Sequence, residues 1–227
     1  MSDMDTVIEI KDLCHSYKMG SSELTIINHL DFSLEKGKWC CIYGASGSGK
    51  TTLLNLLGTL EKPCSGSIVI NGQDVSGMSR RAAAAFRGKN IGFIFQSYHL
   101  IPELTVLENT AFAGNFSGLS GSQANTRAKD LLARVGLADR MHHLPSELSG
   151  GERQRCAIAR SLVNSPRLIL ADEPTGNLDS ETGSSILELF CELRREFQDI
   201  SIVMITHNPE IANLADLSVK LENGILV

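Results

Sequence analysis

The chain has no surplus of positive charge, no C-x-x-C pair, no long apolar run and no internal repeat. Each absence removes a class of function. Lys and Arg total 21 against 26 Asp and Glu, a net charge of −5. A reader of nucleic-acid phosphates needs a basic face or stripe, so no nucleic-acid partner is expected. The six cysteines, Cys14, Cys40, Cys41, Cys64, Cys156 and Cys191, lack the spacing of a zinc site. A disulfide framework belongs to short secreted chains, so they are expected to be small buried apolar residues in a reducing cytoplasm. The opening MSDMDTVIEI carries acids where a secretory signal is basic. No run approaches the ~18–20 apolar residues that cross a bilayer. The protein is therefore expected to be soluble by itself, so that work at a membrane requires a separate spanning partner. The sequence shows no low-complexity tract and no sustained heptad pattern, and no extra C-terminal domain is expected.

What is present is a regular alternation. Residues 7–13 and 24–34 read as strands around a turn at 18–22, and 39–43 is a short apolar strand running into a glycine-rich loop. A helix follows with Leu53, Leu54, Leu56 and Leu57, and Gly58 stands where a C-terminal cap falls. Residues 67–70 with Asn71-Gly72 read as a strand into a tight turn. Helices are expected at 80–87, 105–113 and 123–135, with a strand at 91–95. Then come helix 150–163, strand 168–171, helix 181–197, strand 201–206, a short helix after Pro209, and a hairpin turning at 222–224. The pattern predicts an α/β domain with a mostly parallel sheet flanked by helices. About 97–147 is expected to be a helical subdomain inserted between 1–96 and 148–227 of one domain.

Gly44-Ala45-Ser46-Gly47-Ser48-Gly49-Lys50-Thr51 fits G-x-x-x-x-G-K-[ST], the phosphate-binding loop. The glycines let successive backbone N–H groups turn toward a phosphate chain, and the following helix points its positive end at the same anion. Lys50 is expected to reach the β- and γ-phosphates of ATP, and the Thr51 hydroxyl to ligate Mg²⁺. A chance match is expected on the order of once in a hundred such chains. The apolar run Leu168-Ile169-Leu170-Ala171 ends in Asp172, a carboxylate suited to hold magnesium through water. Glu173 follows at the place for a base that activates the attacking water. A solvated acidic turn before Pro174 is the plain alternative, and the phosphate loop weighs against it. In Leu148-Ser149-Gly150-Gly151-Glu152, Ser149 and Glu152 make a capping box. A helix that only needed a start would not use two glycines, each costing ~1 kcal/mol against Ala; bare backbone there suits close approach to an anion.

This order of motifs resembles the ABC ATPases along essentially the whole chain: a phosphate loop, Gln96 after a strand, Leu-Ser-Gly-Gly-Glu, a strand ending Asp172-Glu173, and His207 after the last parallel strand. The resemblance implies a phosphate-loop NTPase core with an N-terminal antiparallel β-subdomain and the inserted helical subdomain. It implies ATP and Mg²⁺ as ligands, with Gly44, Ala45, Ser46, Gly47, Ser48, Gly49, Lys50, Thr51 and Thr52 around the phosphates. It further implies that Ser149, Gly150 and Gly151 of one copy cap the γ-phosphate held by a second copy, in a head-to-tail homodimer. Gln96 resembles the glutamine that senses Mg²⁺ and the attacking water, and Asp172 the magnesium aspartate. His207 resembles the switch histidine that orders Glu173, Tyr17 the aromatic that stacks on adenine, and Asp179 the aspartate that crosses the dimer seam. His207 lies at the end of a strand, as Gly44, Gln96 and Asp172 do, where ligands of parallel sheets bind. His15, His29, His142 and His143 read as structural, and Trp39 and Cys156 have no functional reading.

The runs 93–102 and 171–179 are similar to one subgroup, the ATPases of lipoprotein-releasing systems, macrolide and antimicrobial-peptide efflux pumps and the cell-division permease-like complex. That implies integral membrane permease subunits as partners, a coupling helix gripped after Gln96, and a peripheral place on the cytoplasmic face of the inner membrane. The alternative is a soluble ABC ATPase of DNA repair or translation. Such proteins usually carry two nucleotide domains or a long coiled coil, whereas each motif occurs here once.

Overall fold

A computed structural model of the chain describes residues 5–20 and 22–227. The elements run β1 (Thr6–Met19), β2 (Ser22–Glu35), β3 (Trp39–Tyr43), α1 (Lys50–Leu57), β4 (Ser65–Ile70), β5 (Gln73–Asp74), α2 (Arg80–Asn90) and β6 (Ile91–Phe95). They continue with α3 (Val106–Phe112), α4 (Gly121–Arg134), α5 (Gly150–Leu162), β7 (Leu168–Asp172), α6 (Ser180–Glu196), β8 (Ser201–Thr206), α7 (Pro209–Ala212), β9 (Leu217–Glu222) and β10 (Ile225–Leu226). Short 3-10 turns at Ala113–Phe116, Ala138–Arg140 and Pro145–Glu147 complete the chain. Contacts divide it into two compact units, one of residues up to Ala84 together with Asp199–Val227, the other Ala85–Gln198.

The first unit contains an antiparallel sheet in the order β2-β1-β4-β5. Its strands outrun the sequence expectation. Asp12 adopts φ 49 and His29 φ 45, and the β1–β2 register shifts between Ile10 and Ser16. These bulges reset the alternation, so pattern alone ends the strand near Leu13 while the ladder continues to Met19↔Ser22. Of the expected turn at 18–22, Ser21 lies outside the described residues. Asn71 (φ 51) and Gly72 (φ 75) make the expected tight turn between β4 and β5, both in the left-handed region that such hairpins require.

The same unit carries parallel strands. β3 pairs with β8 and with β9, and β9 with β10 as the expected hairpin. β3 and β8 are buried almost throughout, as strands covered on both faces are. Tyr43 is registered against Thr206, so the phosphate loop and His207 leave the sheet side by side at its carboxyl end.

In the second unit β6 and β7 run parallel, with Phe95 against Asp172, which brings Gln96 and Glu173 to neighbouring strand ends. Around them α3, α4, α5 and α6 bury Val106, Leu132, Cys156, Ile158, Ile186 and Phe190. Among the described residues, no helix is long and apolar enough to cross a membrane. The α/β class with mostly parallel ladders and an antiparallel β-subdomain is the one expected. All six cysteines are free, but only Cys40, Cys41 and Cys156 are buried; Cys14 and Cys191 are half-buried and Cys64 is exposed. Burial pushes the Cys40 thiol up to about 12 and those of Cys41 and Cys156 up to about 11, so these three stay as inert thiols.

Candidate functional site

In the first unit the site is built on the passage from β3 to α1. Gly49 occupies the N-cap of α1 with φ 103, a conformation that any residue with a Cβ adopts only under strain. No side chain caps this helix and no acid stands in its first turn. Its leading N–H groups, at the positive end of the helix dipole, are therefore open to an external anion. Lys50 is only 7% exposed, and its Nζ donates to Gly44 O at 3.0 Å and Ala45 O at 2.8 Å. A buried ammonium must be hydrogen-bonded, and with three protons it keeps one donor beyond those two carbonyls. Ser48 N donates to Ala45 O at 3.2 Å. Among the described residues, Ser48 Oγ is buried without a hydrogen-bond partner, an orphan hydroxyl in a loop suited to phosphate oxygens. Thr51 is exposed and Thr52 half-buried.

Tyr17 lies on β1, 38% exposed, opposite Leu24 of β2 at 49%. Its hydroxyl donates to Glu61 Oε2 at 2.6 Å. His207 is exposed directly beyond β8, in a turn where Asn208 N donates to Thr206 Oγ1 at 3.0 Å.

In the second unit, Gln96, Asp172 and Glu173 gather at the carboxyl ends of β6 and β7. Gln96 Nε2 donates to Asn177 Oδ1 at 3.0 Å, and Asn177 Nδ2 donates to Gln96 O at 3.0 Å. This reciprocal pair turns the Gln96 Nε2 toward Asn177 and engages no lone pair of Oε1. Glu173 holds φ 44, uncommon for a residue without a short polar side chain and of a kind that clusters at functional sites. The turn after it closes with Gly176 N donating to Glu173 O at 3.0 Å. A Cβ built on Gly176 would stand 2.7 Å from Gln96 Nε2 and 3.3 Å from Glu173 Oε2, so both side chains converge on that bare backbone.

The second cluster of this unit is the start of α5. The expected capping box is present: Ser149 Oγ accepts from Glu152 N at 3.2 Å, and Glu152 Oε2 accepts from Ser149 N at 2.8 Å. The glycines have a further reason. A Cβ on Gly151 would meet Thr182 Cγ2 at 2.6 Å, and one on Gly150 would meet Leu178 Cδ2 at 3.1 Å and Tyr98 Oη at 3.3 Å. Close packing of α5 on α6 thus asks for bare backbone here, independently of any anion. Asp179 caps α6, its Oδ1 accepting from Thr182 N at 2.9 Å and its Oδ2 from Thr182 Oγ1 at 2.7 Å. Those two bonds hold its carboxyl below the usual range. Thr182 therefore links the α6 cap to Gly151.

The predicted residues fall into three groups: Gly44–Thr52 with Tyr17 and His207 in the first unit, then Gln96 with Asp172 and Glu173, and Ser149–Gly151 with Asp179, in the second. Sequence reasoning missed Asn177 as the anchor of Gln96, although it lies within the run 171–179, and Glu61 as the anchor of Tyr17. Among the described residues no three His, Cys, Asp or Glu side chains form a metal-binding group. Within the second unit the Gln96 amide oxygen and the Asp172 carboxylate are hard oxygen donors at neighbouring strand ends. They are of the kind taken by magnesium, an ion that keeps several waters and uses substrate phosphate in place of a protein cage. Within the first unit the Thr51 hydroxyl is a donor of the same kind.

A family profile described as ABC transporter matches residues 27–176. The ATP-binding protein LolD of the lipoprotein-releasing system of Shewanella oneidensis is 44% identical over 222 residues, covering 98% of this chain and 96% of its own. The macrolide export ATP-binding/permease protein MacB of Vibrio parahaemolyticus is 43% identical over 223 residues, but the match covers only 34% of that longer protein. Among solved structures, dimeric MJ0796, a bacterial ABC transporter cassette, is 36% identical over 96% of both chains with a TM-score of 0.87. A dimeric post-hydrolysis state of MJ0796 bound to ADP and Pi gives the same TM-score at 35% identity. The chain belongs to the ABC transporter family and is one of its ATP-binding, ATP-hydrolysing cassettes.

Proposed function

We propose that this cassette closes head-to-tail with a second copy around two Mg-ATP and drives separately encoded membrane subunits, in a system of the lipoprotein-release or macrolide/peptide-export type. The observation that carries the system type is the 44% identity to LolD across nearly the full length of both chains. Its place is the cytoplasmic face of the membrane, as a peripheral subunit. The helical subdomain of about 97–147, inserted between 1–96 and 148–227, carries the surface that grips the partner.

The chemistry follows from the side chains. The uncapped start of α1 and Lys50 bind the β- and γ-phosphates, and Tyr17 stacks on adenine, worth ~1–3 kcal/mol by analogy with base stacking elsewhere. Thr51, Gln96 and Asp172 hold the magnesium, which when bound neutralises charge on the phosphate oxygens. Glu173 takes a proton from the attacking water as its oxygen bonds to the γ-phosphorus and the bond to the β–γ bridging oxygen breaks. His207 orders Glu173, and Gln96 orients the water. Ser149, Gly150 and Gly151 of the partner copy close over the γ-phosphate, with Asp179 at the seam. Ser149 can cap its own helix and still serve the nucleotide, because the hydroxyl that accepts from Glu152 N keeps its proton to donate.

The test uses Glu173→Gln. Hydrolysis should fall about 10²–10⁴-fold, as for loss of a general base, and the variant should run as a dimer with Mg-ATP and as a monomer without nucleotide. Extracted from membranes in detergent, it should carry an integral permease. Normal turnover removes Glu173 from its role. A strictly monomeric variant with ATP, or recovery only with ribosomes or DNA, overturns the proposed assembly.

A further inference from the structure

Tyr17 is half-exposed, yet its position is tightly determined. Its hydroxyl reaches Glu61 Oε2 at 2.6 Å. The other oxygen of that carboxylate, Oε1, accepts from Asn55 Nδ2 at 2.9 Å. Asn55 lies in the last turns of α1, and its carbonyl accepts from Leu60 N at 2.9 Å and Glu61 N at 3.3 Å, so the chain beyond Gly58 folds back and delivers Glu61 to the helix. His15, 7% exposed, brings Nε2 to 3.2 Å from Glu61 Oε2 and sets its ring edge-on to the Tyr17 ring, 4.9 Å between centroids at 86°. Burial works against the charged form of Glu61, but hydrogen bonds from Tyr17 and Asn55, with His15 beside them, hold it below the usual carboxylate range. Burial, then Glu61, raises the Tyr17 phenol, against an opposing hydrogen bond with Thr52. At neutral pH a phenol thus donates to a carboxylate.

Through Asn55 these contacts are tied to one helix. α1 opens at the phosphate loop and spans about 12 Å at 1.5 Å per residue, ending beside Asn55 and the returning Glu61. We propose that Glu61 is a positioning residue for the nucleotide base: with Asn55 and His15 it locks the Tyr17 ring to the far end of α1, so that one helix sets both the phosphate end and the base end of the site. The proposal rests on the reading of Tyr17 as the adenine platform. The ligand class it implies is a nucleotide whose aromatic base must meet a fixed ring, so the clamp acts on base-containing ligands and leaves inorganic phosphates untouched.

The experiment measures binding of ADP and of inorganic pyrophosphate by calorimetry to the full chain and to Glu61→Ala, Tyr17→Phe, Tyr17→Ala and the double variant Tyr17→Phe/Glu61→Ala. Glu61→Ala and Tyr17→Phe should each weaken ADP about two- to tenfold, the worth of one hydrogen bond, with pyrophosphate unchanged. The double variant should be no worse than either alone, since both remove one interaction. If Glu61→Ala weakens ADP and pyrophosphate alike, Glu61 merely supports α1 and the proposal falls. If Tyr17→Ala weakens ADP while Tyr17→Phe and Glu61→Ala do not, the clamp is wrong and the platform survives. If Tyr17→Ala leaves ADP binding intact, the platform itself is wrong. Should Glu61→Ala fail to fold, Tyr17→Phe, which deletes a single oxygen, decides alone.

Discussion

The starts of α1 and α5 both use glycine, in the loop before the helix at α1 and within the first turn at α5, yet they are finished in opposite ways. At α1 the N-cap is Gly49 in a left-handed conformation, with no capping side chain and no acid in the first turn. At α5 the N-cap is Ser149, and Glu152 reaches back to complete a capping box. Four N–H groups begin each helix without a partner inside it. At α5 the chain supplies acceptors from its own side chains, while at α1 it supplies none and adds the ammonium of Lys50 alongside. The difference separates two ways of using a helix start. One is a backbone cradle for an anion; the other is a self-sufficient helix whose hydroxyl has one proton to offer. On this reading the start of α1 is the principal phosphate site, and Ser149 is an accessory contact that matters when a second copy brings a nucleotide to it.

Ser149→Asp breaks the comparison most sharply. Aspartate caps a helix about as well as serine, so stability in chemical denaturation should stay within about 0.5 kcal/mol of the parent. A carboxylate facing a γ-phosphate, in place of a donor, should lower steady-state ATP hydrolysis by about 10²-fold or more. Hydrolysis near the parent rate would mean that Ser149 does nothing beyond capping its own helix, and the trans contact would be lost from the mechanism.

Gly151→Ala tests why bare backbone stands at the start of α5. If the glycine served only an approaching anion, alanine would stabilise the helix by up to about 1 kcal/mol. The structure puts the new Cβ 2.6 Å from Thr182 Cγ2, and Thr182 is held in place by both oxygens of Asp179. Overpacking of this kind costs about 1–3 kcal/mol. A net loss of stability is therefore expected in urea denaturation, and Thr182→Ser, which removes that methyl and keeps the hydroxyl, should recover most of it. A stabilised Gly151→Ala would leave the anion as the only reason for the glycine.

These two helix starts also mark what the sequence makes legible. The phosphate loop, the Gly58 stop and the Ser149–Glu152 box are local patterns, each closed within a few residues, and all three stand where the spacing places them. Strands β3, β6 and β8 are legible because short, largely apolar runs bounded by turn and loop residues read as buried strands. Local cues can also be passed over: Asp179 and Thr182 have N-cap spacing, and Ser120 with Gln123 makes a capping box that starts α4 two residues before the apolar pattern does. The extra turn of α2 beyond residue 87 is closed by Asn90 Nδ2 donating to Phe86 O at 3.0 Å. The contacts that tune the site join residues far apart in the chain, Tyr17 to Glu61 across 44 positions and Gln96 to Asn177 across 81. No spacing rule reaches that far. The exposure of Cys64 is hidden for a related reason, since cysteine usage reports an average preference for burial and this thiol sits where the chain turns into β4.

The smallest effect expected is a pH dependence from the Glu152 carboxyl in the first turn of α5, a turn that in α1 carries no acid. The backbone hydrogen bond from Ser149 holds the Glu152 carboxyl below its ordinary value of 4.5, in spite of partial burial, and Arg140 Nε adds a contact at 3.1 Å. A group whose folded pKa is depressed stabilises the fold above the unfolded value and loses that contribution as pH falls through the folded one. Glutamine at this position keeps the reach of a capping box but does not titrate. The stability of the parent relative to Glu152→Gln should therefore be constant from pH 7 down to about 5, then shrink as the solution is made more acid. Because nearly a third of the side chain is open to solvent, at 29%, the whole change should stay below about 1 kcal/mol. Arg140→Gln should reduce it further without abolishing it, since the Ser149 bond is the larger cause. An advantage that grows on acidification would mean that the Glu152 carboxyl is held in its protonated form, and the closed first turn on which the contrast with α1 depends would have to be redrawn.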